Sequence, residues 1–279
     1  KLSNTDESNF TKIHDADYIK GLKRLYMTAT PRLYGDNAKA KASEKDAVLC
    51  SMDDAALYGE EFFRVNFSYA VEHGLLTDYK VLVLTVNEDD LPANVLKDIK
   101  DPNNTELNFD DTSKLIGVIN GLSKIIRGDN RVTWDNDPCV MQRAIAFCSA
   151  IGDAKSPGTS VNTSMVLPKI CETYRDSIDP EEREHVVEVS ARHIDGSMNS
   201  QTRNEQLAWL ADENLAENEC RVLTNVRCLS EGIDVPALDA VLFLSSRNSQ
   251  VDVVQSVGRV MRNFRKGQPG EKKYGYIII

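Results

Sequence analysis

"RVLTNVRCLSEGIDVPALDAVLFLSS", residues 221–246, contains two apolar runs, "RVLTNV" (221–226) and "AVLFLSS" (240–246), with a polar loop between them. Runs that are hydrophobic on both faces suit strands of a parallel sheet covered by helices. The same kind of run recurs outward in both directions: "RLYMT" (24–28), "YKVLVLTV" (79–86), "RAIAFC" (143–148), "HVVEVS" (185–190) and "YGYIII" (274–279). Helical patterns fall between them. "DDTSKLIGVINGLSKIIRG" (110–128) opens on an Asp/Thr/Ser cap signal, closes on Gly128, and puts Leu115, Ile116, Ile119, Leu122, Ile125 and Ile126 on one stripe. "NSQTRNEQLAWLADENLAE" (199–217) and "QVDVVQSVGRVMRNF" (250–264) also read as helices. Alternating strands and helices predict an α/β, doubly wound parallel sheet. Two stretches interrupt the rhythm: residues 88–112, acidic and carrying Pro92 and Pro102, read as a connection, and residues 152–164 read as a surface loop.

In an open parallel sheet, ligands sit at the carboxyl ends of the strands. The loop after "RVLTNV" carries Glu231, Gly232 and Asp234 before Pro236. Gly232 permits an unusual turn, and Asp234 offers a carboxylate to a sugar hydroxyl; an ordinary turn pinned by an aspartate fits the same residues. Further on, "QSVGRVMR" (255–262) sets Arg259 and Arg262 one helical turn apart, just after Gln255 and Gly258. Arginine's planar fork of donors matches phosphate oxygens. Taken alone, the octet is equally a solvated basic turn.

Composition bounds the rest. The 279 residues suffice for one large or two modest domains, and 41% hydrophobic with 27% charged residues is ordinary globular composition. A net charge of −10 argues against coating nucleic acid by bulk attraction, yet leaves room for a local basic track such as "GRVMRNFRKGQPGEKK" (258–273). No apolar run reaches the roughly 20 residues of a membrane span, and the N-terminus has no signal-peptide core. Six cysteines without CxxC spacing predict a reduced, cytoplasmic protein. Four scattered histidines predict no metal site.

"TATP" (28–31), "RAIAFCSAI" (143–151), "HIDGSMNSQTR" (193–203), "TNVRCLSEGIDVP" (224–236) and "QSVGRVMR" (255–262) follow one another in order. Together they resemble motifs III to VI of superfamily 2 helicases and translocases. "ALYGEEFFRVNFSYAVEHGLLTDYKVLVLTV" (56–86) is similar to the inter-domain passage of motors from restriction–modification and related bacterial DNA translocases, the likeness resting on Tyr58, Gly59, Ala70, Val71, Gly74, Leu75, Leu76 and Tyr79.

The resemblance implies a RecA-like fold and an ATP hydrolase that acts on nucleic acid, duplex DNA in the first place. It assigns Arg262 as arginine finger to the γ-phosphate, Arg259 as its support and Gln255 to nucleotide and water. Gly232, Asp234 and Glu231 would lie at the nucleotide, Thr224 at the nucleic-acid backbone, and Thr28 and Thr30 would couple the two. It divides the chain into 1–87 (end of a first RecA-like domain and inter-domain passage), 88–137 (linker and leading helix) and 138–279 (second RecA-like domain). Neither G-x-x-x-x-G-K-[ST] nor a D-E-x-H box occurs. ATP and Mg²⁺ would therefore be held mainly by an upstream RecA-like domain, and this chain alone is expected to be inactive. Gln-Ser-Val in motif VI, in place of the His-Arg-Ile of DEAD-box enzymes, favours DNA. An RNA helicase or a non-catalytic helicase-like binding module are the alternatives.

Overall fold

The computed structural model describes residues 12–28, 30–44, 49–86, 91, 93–100, 109–125, 137, 139–228, 235, 237–247 and 249–279, with only the backbone at 98–100 and 109. The chain forms two compact units, Lys1–Asn66 and Phe67–Ile279.

Among its described residues the first unit carries a short 3₁₀ helix (Lys12–His14) and two α-helices, α1 (Asp36–Glu44) and α2 (Ala55–Tyr58). Asp54 caps α2 by accepting from Ala56 N at 2.9 Å, and Gly59 ends it at φ 77°. His14, Tyr26 and Tyr58 pack as an aromatic trio with centroids 4.7–5.4 Å apart. The expected strand 24–28 is irregular chain, with Leu25 and Met27 exposed. The sequence there has the right residues, but among the described residues of this unit no strand is present to pair with it.

The second unit contains α3 (Phe67–Glu72), β1 (Asp78–Leu82), α4 (Ala93–Lys100), α5 (Phe109–Leu122), β2 (Arg143–Phe147), α6 (Ser160–Ser177), α7 (Pro180–Arg183), β3 (Glu188–His193), α8 (Ser200–Ala211), β4 (Glu219–Asn225), β5 (Ala240–Phe243), α9 (Gln250–Val260) and β6 (Tyr274–Ile278). The strands form one parallel sheet in the order β1-β6-β5-β2-β4-β3. This is the predicted RecA-like sheet with helices on both faces.

Alternation along each strand divides the core in two. Ala144, Ala146, Val222, Leu242, Tyr276 and Ile278 point to one face, where α4, α5 and α6 lie. Ile145, Phe147, Leu223, Val241 and Ile277 point to the other, beneath α8 and α9. Both faces are buried over the central strands, hence their continuous apolar runs in the sequence, whereas edge strand β1 leaves Tyr79 and Val81 exposed.

Several boundaries differ from expectation. Pairing of β1 with β6 draws 78–82 into the second unit, and the two compact units divide at 66/67, inside the segment read as the end of a first domain with the inter-domain passage. The expected connection 88–112 contains α4, which buries Val95, and the first turns of α5. The expected loop 152–164 already contains the first turn of α6. Strand β3 runs to His193, three residues beyond the apolar run. Helix α9 stops at Val260, before Arg262.

Candidate functional site

Helix α9 starts beside the carboxyl edge of the sheet and runs back to the opposite edge. Ser249 caps its start by accepting from Asp252 N at 3.2 Å. At its end, Met261 O accepts from Thr77 N at 2.7 Å, one residue before β1 begins. Arg259 is buried in the last turn, 8% exposed, whereas Arg262 is half-buried past the helix end. Past the helix end the chain continues in a turn, the Arg262 N–H donating to Arg259 O at 3.3 Å. Gly258 is not compelled by crowding either, since a Cβ there would stand 3.8 Å from Phe67, an ordinary contact. Gln255 keeps a buried carboxamide oxygen with no hydrogen-bond partner among the described residues, the kind of atom a bound polar group would satisfy.

Two residues that the motif reading passed over shape this end. Asn263 donates to Gly74 O and Leu75 O, both at 3.1 Å, and accepts from Thr77 Oγ1 at 3.0 Å. It ties the arginine segment to the passage before β1. Lys272 donates to Leu238 O at 3.1 Å. Burial pushes its ammonium down to about 8; the Arg262 charge adds to that push and Asp239 opposes it. A cleft of about 890 Å³ opens at this edge, lined among others by Arg143, Asp239, Phe264, Arg265 and Lys272. Several of its charges are already paired, as in Lys124–Asp137 at 2.7 Å and Arg265–Glu213 at 2.6 Å.

The carboxyl edge is organised differently. Thr224, at the end of β4, is fully enclosed and donates to Ser160 O at 2.8 Å. Ser160 Oγ lies 3.1 Å from Thr224 Oγ1 and 2.7 Å from His193 Nδ1. His193 Nε2 lies 2.8 Å from Asp195 Oδ2. Asp195 also accepts from Ser197 N at 2.7 Å and Ser197 Oγ at 2.5 Å, and these bonds with the one to His193 hold its carboxyl down to about 2. The Thr224 hydroxyl is thus spent inside the fold, where a direct contact to a nucleic-acid backbone was expected. Glu231, Gly232 and Asp234 lie outside the described residues. In the first unit, Thr28 Oγ1 donates to Thr30 O at 3.1 Å and accepts from Thr30 N at 3.3 Å, so the two threonines close their own turn.

The helicase conserved C-terminal domain family matches residues 162–264. No curated protein matches the chain. Among solved structures, the ATP-dependent Type ISP restriction–modification enzyme LlaBIII bound to DNA is 40% identical over 96% of this chain, with a TM-score of 0.71. The chain carries a superfamily 2 helicase C-terminal domain.

A fragment of a putative HsdR subunit of a type I restriction enzyme from Vibrio vulnificus YJ016 shares the fold over 98% of the chain, at 17% identity and a TM-score of 0.50. The chain spans 16% of the LlaBIII chain and 42% of the HsdR fragment. The matched stretch of the helicase C-terminal domain begins inside α6 and ends just past Arg262, so it holds His193, Thr224 and both arginines. Ser160 stands two residues before it, and β6 with Lys272 lies beyond. No helix among the described residues is long and apolar enough to cross a membrane.

Proposed function

We propose that this helicase C-terminal domain is the second motor half of an ATP-dependent DNA helicase or double-strand DNA translocase. The observation that carries this reading is the 40% identity, across nearly the whole chain, to an ATP-dependent restriction–modification enzyme bound to DNA. The paired arginines of "QSVGRVMR" (255–262) add the chemistry such a motor needs on this side.

These 279 residues contain no phosphate loop and no acidic magnesium box. ATP and Mg²⁺ would be held by an upstream RecA-like domain, the ion neutralising phosphate charge. Arg262 would meet the γ-phosphate from outside, where its permanent charge stabilises the negative charge spread over the transferring group. Arg259, enclosed at the end of α9, would hold the segment that presents Arg262. Gln255 brings a buried oxygen awaiting a donor, which fits ordering of the nucleotide or its attacking water. Glu231, Gly232 and Asp234 would complete the nucleotide side. Thr28 and Thr30, which hydrogen-bond to each other in the first unit, would transmit nucleotide state toward the DNA.

The reading is tested by ATP hydrolysis in the full-length protein with duplex DNA, single-stranded DNA or RNA added. Stimulation by duplex DNA is the expected result. Stimulation by RNA alone would replace the substrate and keep the motor. No hydrolysis under any condition would make the domain a binding module.

A further inference from the structure

The line Thr224–Ser160–His193–Asp195, enclosed at Thr224 and Ser160 and partly exposed at His193 and Asp195, joins the end of β4, the start of α6, the end of β3 and the loop leading into α8. Its Ser–His–carboxylate order resembles a hydrolase triad, but Ser160 and Thr224 have no exposed surface. No substrate carbonyl can reach either hydroxyl, so neither is a nucleophile.

The protons say what the line does instead. Ser160 has one hydroxyl hydrogen; Thr224 Oγ1 and His193 Nδ1 are within its reach, and the Cys148 thiol also bonds to it. With a neutral ring protonated at Nε2, the Nε2–H faces Asp195 and the serine hydrogen goes to Nδ1. With a doubly protonated ring, Nδ1–H donates to Ser160 and the serine hydrogen turns to Thr224. In both arrangements the imidazole decides the orientation of the serine hydroxyl beside Thr224. The first turn of α6 is held in turn by Ser160 N to Ala150 O at 2.9 Å and Val161 N to Ile151 O at 3.0 Å. One ring thus connects the chain after β2, the start of α6, the loop after β3 and the end of β4. These are the segments that form the carboxyl edge.

We infer that His193, acting through Ser160, is a positioning residue that fixes the spacing of these edge segments and so the affinity of the domain for the phosphodiester backbone of DNA. The inference rests on the DNA-motor reading. It gives Thr224 an indirect part in the grip, as the inner member of the line.

The test follows ATP hydrolysis as a function of DNA concentration in the full-length wild-type protein, Ser160→Ala, His193→Ala and the double variant. Each single change raises the KM for DNA about five- to tenfold, the value of a lost hydrogen bond. The double variant goes little further, because both changes break one line. The kcat at saturating DNA stays at its wild-type value. A fall in kcat with an unchanged KM for DNA would mean only lost folded protein and would overturn the inference, as would wild-type behaviour of His193→Ala or full additivity in the double variant. If His193→Ala does not fold, the near-isosteric Asp195→Asn takes its place, with the same direction expected and an unmoved KM for DNA as the overturning result. A wild-type protein whose hydrolysis ignores DNA would bring down the motor reading itself, and the role of His193 with it.

Discussion

Asp239 fastens three strands at the edge of the sheet where they begin. One carboxylate oxygen accepts from Gln142 N at 2.8 Å and from Arg143 N at 3.0 Å, while the backbone of Asp239 pairs with Arg143 O and Tyr276 N. It therefore ties β2, β5 and β6 together where they begin. Burial pushes its carboxyl pKa up, and the two N–H donors pull it back. Asp239→Ala would leave both amides without an acceptor in the interior, a cost of about 2–4 kcal/mol. Asp239→Asn keeps an oxygen in place and should cost clearly less; equal losses by denaturant titration would contradict this account. Asp195 gives the opposite pH signature. Its folded value of about 2 lies below the ordinary aspartate value of about 4. The folded state thus holds the proton less tightly, and the stability this provides is present above about pH 4 and lost as pH falls toward 2. The difference in stability between wild type and Asp195→Asn should shrink across that window, and a pH-independent difference would refute the assigned cause. At this scale the sequence revealed residue types but not their surroundings. Arg259 and Arg262 stood out by spacing, yet only the end of α9 at Val260 shows that one is enclosed and the other is not. Nothing in the bare pattern marked Ser160, Asp239 or Asn263, since a polar residue satisfied by distant chain looks like any loop residue.

Helix α9 lies on β6 only because residue 275 has no side chain. A Cβ on Gly275 would stand 2.3 Å from Val260 O, backbone against backbone, so the last turn of α9 would have to move. Gly275→Ala should cost about 2 kcal/mol or more and shift the arginine segment with it. A variant of wild-type stability would mean that the close approach is not what fixes the helix. Most elements were legible because parallel strands buried on both faces give unbroken apolar runs, and because the helices between them carry a helical pattern of apolar residues; the caps Asn199 and Ser249 show only in the structure. Helix α6 was hidden. Its opening turn is written in Ser, Val, Asn and Thr, and Pro168 interrupts it, although Val166, Leu167, Ile170, Cys171 and Tyr174 form the stripe that packs on the sheet. The segment 24–28 failed in the opposite sense: β-prone residues do not make a strand without a neighbour.

For the molecule as a whole, the boundary at 66/67 makes a prediction distinct from one at 87/88. A polypeptide of residues 67–279 keeps β1 on the edge of the sheet and should unfold in one cooperative step. Residues 88–279 lack β1, uncover the edge of β6 and the core contact of Leu82, and should melt at lower temperature and aggregate more readily. Equal melting temperatures would restore the later boundary. The larger claim is that the domain delivers an arginine to a phosphate held elsewhere. The most direct test is ATP turnover by the full-length protein at saturating duplex DNA, comparing wild type with Arg262→Ala and measuring nucleotide affinity in parallel. The account predicts a loss of about 10³-fold or more in turnover, the scale of an arginine finger, with nucleotide affinity little changed. Turnover at the wild-type rate in Arg262→Ala would contradict it.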